Sequence, residues 1–290
     1  MNRLVKKLIP YILLLPVLLF IVGIFLVGIG LGLLQSLGYF PAIGLKKITF
    51  EYYKNILLNP GFLKSLRFSF YTSFISSTVA MFLGILLAYL LVKYNTKKRW
   101  GFDNLYSVPI IVPHTIAALL VFILFTQSGW IPRILYHLNI INSMEDFYPL
   151  VFDDKGIGII MAYVWKGLPF ICLISYDVMK KVDEKYTKIA INLGATSFKA
   201  FWNIVLPLSL PTIIMGFIIL FTFSFGAFEI PYLLGPSNPR ALPISAYIYY
   251  KSVDLLQRPY AMVINICITC FSLIMVVFYL LVYQLIKKYK

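Results

Sequence analysis

The sequence predicts an all-α, polytopic membrane protein with six transmembrane helices. Three observations lead there. Hydrophobic residues fill 60% of the 290 positions and charged residues only 13%, against about 25% charged in soluble domains. Charge this sparse cannot cover a globule of this size, so lipid is the expected solvent. Six windows supply the roughly 20 mostly apolar residues that one span requires: 9–34, 65–92, 105–125, 157–179, 208–228 and 260–285. Finally, the basic residues are distributed unevenly between the segments that join those windows.

The first window follows a basic start, "MNRLVKK". Its apolar run is too long for a signal peptide and no small-residue cleavage site closes it, so an uncleaved anchor is expected. Gly28 and Gly32 form a GxxxG that would allow a second helix to come close. With the N-terminus inside, the inner segments carry Arg3, Lys6 and Lys7, then Lys93, Lys97, Lys98 and Arg99. After these come Lys180, Lys181, Lys185, Lys188 and Lys199, and finally Lys287, Lys288 and Lys290. That is fifteen basic residues inside against ten outside. The outer segments also hold Glu51, Glu145, Asp146, Asp153, Asp154, Glu229 and Asp254. The excess of Lys and Arg marks the cytoplasmic side, so both termini are expected there. The expected division is 1–61 (first helix and outer segment), 62–285 (five helices with a long inner loop at 180–206) and 286–290 (cytoplasmic tail).

A net charge of +15 invites a nucleic-acid reading, but no basic stripe interleaves with exposed aromatics, so no nucleic-acid partner is expected. Cys172, Cys267 and Cys270 all lie in apolar runs, which argues against a disulfide framework. Cys267 and Cys270 read as small packing residues on one helix face. No GxxxxGK[ST] loop and no HExxH occurs, and the histidines are His114 and His137. His114 reads as a packed or hydrogen-bonded span residue and His137 as a solvated loop residue. Acid–base pairs with catalytic spacing are absent from the spans, so neither enzyme chemistry nor a bound metal or cofactor is expected of this chain.

The most informative stretch is "KIAINLGATSFKAFWNIVLP" at 188–207. Asp183 is expected to cap a short helix running through Leu193, and Gly194 stands where a left-handed C-cap residue belongs. Thr196 or Ser197 then caps a second helix containing Phe198, Phe201 and Trp202, which leads to Pro207 and the fifth span. Ile189, Ala190 and Leu193 give the first short helix one apolar face. That face is expected against the bundle, leaving the other side for a partner.

This stretch resembles the EAA loop of permease subunits of type I ATP-binding-cassette importers, whose pattern is E-A-A-x-x-x-G, nine residues, then I-x-L-P. Ala190, Gly194, Ile204, Leu206 and Pro207 stand at matching positions, with Ala195 after the glycine as is usual. Lys188 replaces the glutamate and Ile189 the first alanine, which removes the carboxylate such a loop uses for a salt bridge. "YVWKGLPF" (163–170) resembles the W-x-x-x-P-F of the family's fourth span, and "SVPIIVP" (107–113) the opening of its third. "SGWIPRILYHLNIIN" (128–142) resembles its outer G-x-x-N segment, with Pro132 in place of the asparagine. The resemblance covers about residues 62–285.

It implies the type I importer permease fold, in the cell membrane of a prokaryote. Lys188, Ile189, Ala190, Leu193, Gly194, Ala195, Thr196, Ile204, Leu206 and Pro207 would form the segment that docks in a groove of a cytoplasmic ATPase subunit. Two such subunits would hold ATP and Mg²⁺. A second, different permease chain and an extracellular solute-binding lipoprotein would complete the complex.

An ionisable residue within a span is a candidate functional site, so Lys166 and Glu229 are candidates for the translocation pathway, together with Trp165 of the W-x-x-x-P-F. Lys166 and Glu229 would either pair or line the pathway. The plainer alternatives are a Lys166 satisfied by carbonyls or snorkelling and a Glu229 in the outer interface beside Pro231. "LLGPSNPRALP" after the fifth span and the 35–64 segment resemble the spermidine/putrescine branch and its relatives for sugars, organophosphates and iron. Polyamine is therefore the expected solute, although an outer face with ten basic residues and seven acids offers a cation no funnel. The competing class is an ion-gradient-driven carrier, which would favour paired repeats with broken helices and intramembrane acids; neither is evident.

Overall fold

The computed structural model describes residues 3–94 and 107–288. Lys97, Lys98, Arg99 and Lys290, the opening of the third predicted window, and the side chains of Arg3, Lys6, Lys7, Lys287 and Lys288 lie outside what is described. Six helical stretches are long and apolar enough to cross a membrane: Pro10–Ser36, Pro60–Tyr94, His114–His137, Ile157–Asn192, Ser197–Gly226 and Leu255–Leu281. No strand occurs among the described residues, so the protein is all-α with six spans.

Two compact units divide the chain, one formed by Met1–Asn59 with Ser245–Cys267 and the other by Pro60–Ile244 with Ile268–Lys290. The first unit contains helix α1 (Arg3–Ser36) and the short α2 (Glu51–Leu57). Ser36 is buried and shares a hydrogen bond of 2.7 Å with the Tyr53 hydroxyl, which fastens the end of α1 to α2. Tyr52 meets the ring of Tyr260 edge-on with centroids 5.0 Å apart, and Asn55 donates to the Tyr260 hydroxyl at 3.3 Å. The predicted GxxxG makes no tight seam: nothing stands within 4 Å of a Cβ built on Gly28, and at Gly32 only Met262 Sδ does, at 4.0 Å.

The second unit begins with α3 (Pro60–Tyr94). Its buried face carries Ser65, Ser69, Thr72, Ser76, Ala80, Gly84 and Ala88. Spacings of three and four put these small side chains on one stripe. Lipid is as apolar as leucine, so helices in a membrane associate by close packing along such stripes. Helix α7 (Ile157–Val182) lies along it, and a methyl group at Gly84 would stand 2.8 Å from Ile171 Cβ and 3.0 Å from the Leu168 carbonyl. The fifth span, α10 (Leu206–Gly226), closes on the same place: a Cβ at Gly167 would lie 2.6 Å from Leu220 Cδ2. Ser69 Oγ also accepts the N–H of Leu242 at 2.7 Å, starting α12 (Leu242–Lys251).

The start of α7 is fixed by charge. The Asp153 carboxylate accepts the N–H groups of Ile157 at 2.7 Å and Lys155 at 3.0 Å, with Gly156 left-handed at φ +66° between them. Burial pushes the Asp153 carboxyl above the ordinary carboxylate range, while these backbone bonds pull it the other way.

The third span differs from the predicted single window. It is broken into α4 (Val108–Ile111) and α5 (His114–Phe125). Val112 is extended, φ −65° and ψ 128°, because a residue before proline is pushed out of the helical region. His137, expected in a loop, instead closes the short helix α6 (Trp130–His137) and is exposed. The fifth span stops at Gly226, and Glu229 starts a separate helix, α11 (Glu229–Leu234).

Candidate functional site

The segment after α7 is helical almost throughout. A π-helical turn at Asp183–Thr187 carries α7 directly into α8 (Lys188–Asn192). The expected Asp183 cap therefore does not form; Asp183 is itself helical (φ −61°, ψ −50°), and a helix that never ends has no orphan N–H groups to cap. The stop comes at Gly194, with φ +91°. The Ala195 N–H bonds to the Ala190 carbonyl and the Gly194 N–H to the Ile191 carbonyl, each at 2.9 Å, which is the paired closure of a Schellman turn. Of the two candidate caps for the second helix, Thr196 is the one used: it is extended, and its hydroxyl accepts the Lys199 N–H at 3.3 Å. Helix α9 (Ser197–Ala200) then passes through a second π turn, Phe201–Val205, into α10.

The faces of this connector differ from the expected ones. Of the trio Ile189, Ala190 and Leu193, only Ala190 turns inward, at 8% exposure, while Leu193 is 83% exposed and Ile189 56%. Phe201 is the aromatic that anchors the connector, buried with its ring 4.3 Å from that of Tyr89. Phe198 and Trp202 stand outside, 63% and 52% exposed. The result is an outward apolar patch of Ile189, Leu193, Phe198 and Trp202. Lys188, Gly194, Thr196 and Pro207 are also exposed, and Ala195, Ile204 and Leu206 half-buried. A cleft of ≈ 200 Å³ opens among Tyr89, Lys93, Asp183, Thr187 and Phe201.

A second feature lies mid-span. Ile110, His114, Tyr163, Lys166, Phe170 and Phe223 are among the residues lining a cavity of ≈ 240 Å³. Lys166 reaches it from α7, and its Nζ donates to the Pro109 carbonyl at 2.9 Å and to the Val112 carbonyl. Among the described residues Lys166 forms no ion pair with Glu229, which is exposed at the start of α11. Of the readings the sequence left open for Lys166, satisfaction by carbonyls is the one the structure shows, and pairing with Glu229 is not. Trp165, the neighbour on α7, is 38% exposed and lines neither cavity nor cleft. His114 packs its ring 4.9 Å from that of Phe223 and also lines the cavity.

Sequence reading missed a third feature, an open cleft of ≈ 440 Å³ lined by Lys64, Arg67, Phe68, Tyr71, Asn238 and Pro239. Its only signal was the i, i+3 spacing of two basic residues in the first turns of a span.

Residues 80–289 match the family described as binding-protein-dependent transport system inner membrane component. The chain belongs to that family. The membership and the six apolar helices make this transport component a multi-pass protein of the cell membrane; ATP hydrolysis belongs to a separate subunit in this family. Among curated relatives, a sulfate transport system permease protein CysT of Synechocystis is 24% identical over 82% of this chain and 80% of its own length. A probable sulfate transport system permease protein cysT of Marchantia polymorpha is 27% identical over 67% of this chain, and the CysT of Escherichia coli 26% identical over 63%. The match spans less than two thirds of those two relatives, 64% and 63% of their lengths. Sulfate, not polyamine, is the solute in these names, and the polyamine expectation gains no support from them.

The fold is also that of a solved structure. A crystal structure of a bacterial ABC transporter involved in import of the acidic polysaccharide alginate superposes with a TM-score of 0.76, at 18% identity, over 98% of this chain and 99% of that one. A second structure, that alginate transporter with an alginate pentasaccharide-bound periplasmic protein, gives a TM-score of 0.74 at 18% identity over 96% of each chain.

Proposed function

We propose that this chain is one permease subunit of an ATP-driven importer, and that the connector between α7 and α10 is where it receives the work of ATP hydrolysis. The observation that carries the reading is the apolar patch of Ile189, Leu193, Phe198 and Trp202, exposed on a connector whose first helix, α8, continues α7 without a break. Large apolar side chains in contact with water mark a surface that something covers. Two aromatic anchors, Phe198 and Trp202, suit a pocket on a folded partner, and the partner is an ATPase subunit on the cytoplasmic side. Both termini then face the cytoplasm, in keeping with the excess of Lys and Arg in the segments on that side.

The solute is an anion. The outer cleft presents Lys64 and Arg67, and the mid-span cavity presents Lys166, with no carboxylate in either lining. A polyamine would meet like charge at both places, whereas an oxyanion or carboxylate would be drawn to them. The sulfate and alginate of the relatives' names are of that class. Trp165 and Glu229 would flank the same pathway.

The complex purified from native membranes should contain two ATPase subunits and a second permease chain by native mass spectrometry; this chain alone, stable and transporting, overturns the assembly. Uptake assays in liposomes with the cognate binding protein should show accumulation of sulfate or an anionic oligosaccharide. Accumulation of putrescine instead would overturn the anion assignment and leave the assembly intact.

A further inference from the structure

The break in the third span leaves two carbonyls without helical partners. In an unbroken helix the Pro109 carbonyl would accept the N–H of residue 113, but residue 113 is a proline and has none. Val112 is extended, which takes its carbonyl out of the ladder too. At membrane depth such carbonyls are tolerated only where neighbouring protein or a water-filled cavity satisfies them. Lys166 is that neighbour. Its ammonium donates to both orphaned carbonyls at once.

Lys166 is also placed to transmit movement. It belongs to α7, and helical residues continue without interruption from it through the π turn to α8, roughly 33 Å at 1.5 Å per residue. The broken span it grips supplies Ile110 and His114 to the wall of the mid-span cavity. The part of the lining supplied by α10, Ile219 and Phe223, receives no bond from Lys166, although the Phe223 ring packs against that of His114.

We propose that Lys166 is a positioning residue that fastens the broken α4–α5 span to α7, so that displacement of the connector moves one wall of the cavity. This rests on the importer reading, and the experiment separates the two. In the whole complex, Ile110→Cys reports the fastened wall and Ile219→Cys the unfastened one, each in a background lacking the native cysteines. The readout is the rate of modification by a water-soluble maleimide with ADP and with a non-hydrolysable ATP analogue.

In the otherwise unaltered protein both positions should change rate with nucleotide. In Lys166→Met the change at position 110 should be lost while that at 219 persists, and Lys166→Arg, which keeps the donors, should restore it. A nucleotide response at 110 in Lys166→Met equal to that of the unaltered protein overturns the proposal. Should Lys166→Met lose both responses, the double variant Pro113→Ala with Lys166→Met decides, because alanine returns an N–H to the Pro109 carbonyl. Recovery at 219 alone supports the proposal, and any other result for the double variant overturns it. No response at either position without the lysine change refutes the importer reading itself.

Discussion

A methyl group added at Gly84 would stand 2.8 Å from Ile171 Cβ, where no flexible side-chain tip can give way, while one added at Gly194 would meet nothing within 4 Å. Both positions demand glycine, yet for different reasons. At Gly84 the demand is for room, because α3 and α7 come together on small side chains. At Gly194 the demand is for a backbone angle, φ +91°, that an L side chain rarely takes. The contrast holds across the regions around them. The packed face of α3 is made mostly of small side chains, whereas the connector carries large apolar ones on its outer side. The bundle is held by its own close packing, and under the proposed function the connector is held by a partner.

The largest expected effect breaks this contrast at the connector. Leu193→Asp should leave the bundle folded, since the side chain is 83% exposed. It should weaken ATPase binding by about 2 kcal/mol, roughly thirtyfold, as central apolar contacts do at interfaces. Titration of the purified ATPase subunit onto the permease in nanodiscs measures it. A fall in thermal stability with unchanged affinity would mean the patch packs against the chain itself. Next comes Gly84→Ala, the converse test, which should lower stability by about 1–3 kcal/mol through overpacking and leave ATPase affinity untouched. Thermal unfolding followed by fluorescence, together with the same titration, separates the two outcomes.

A smaller effect is expected at Gly194→Ala, about 1–2 kcal/mol for forcing a left-handed residue. Because the site is open, the strain should appear as faster amide exchange in the Schellman turn at Ala195, without a matching loss in the bundle. The smallest effect concerns the start of α7. Burial raises the Asp153 carboxyl above its ordinary range, so folding favours its protonated form. That stabilisation is present below the ordinary carboxylate range and is lost as pH rises through the raised folded value. Asp153→Asn keeps an acceptor for the Ile157 N–H and should flatten the part of the melting-temperature profile that falls from the ordinary carboxylate range upward. An unchanged profile would show that the slope arises elsewhere.

The sequence foretold some of this well and some poorly, for physical reasons. The six spans were legible because length and apolarity alone decide them. The stop at Gly194 and the cap at Thr196 were legible because each depends on one residue's local chemistry. The facing of Ile189, Leu193, Phe198 and Trp202 was not. A helix near lipid can be apolar on every side, so periodicity no longer separates the packed face from the free one. The Asp183 cap failed for a related reason: helix ends are read from polar residues, and nothing in "DEKYT" announces that the helix continues through a π turn. A Lys166 satisfied by carbonyls was among the readings open from the sequence, but naming the carbonyls required knowing that α7 runs beside Pro109, a juxtaposition that local pattern does not contain. What the sequence did contain were its two halves, a lysine and a broken proline-rich span.

The two π turns have an angular consequence. A π turn closes its hydrogen bonds one residue later than an α turn, and each residue of an α-helix advances the side chains by about 100°. Five residues, Asp183–Thr187, stand before the connector and five, Phe201–Val205, after it. Letting the same five residues of the first turn relax to α geometry would swing Leu193 and Ile189 through most of a quarter of a circle, whereas removing one residue at the same time would return them nearly to their present heading. The heading of the proposed docking patch is thus set jointly by the number of residues in the turn and by the hydrogen-bond pattern that closes it.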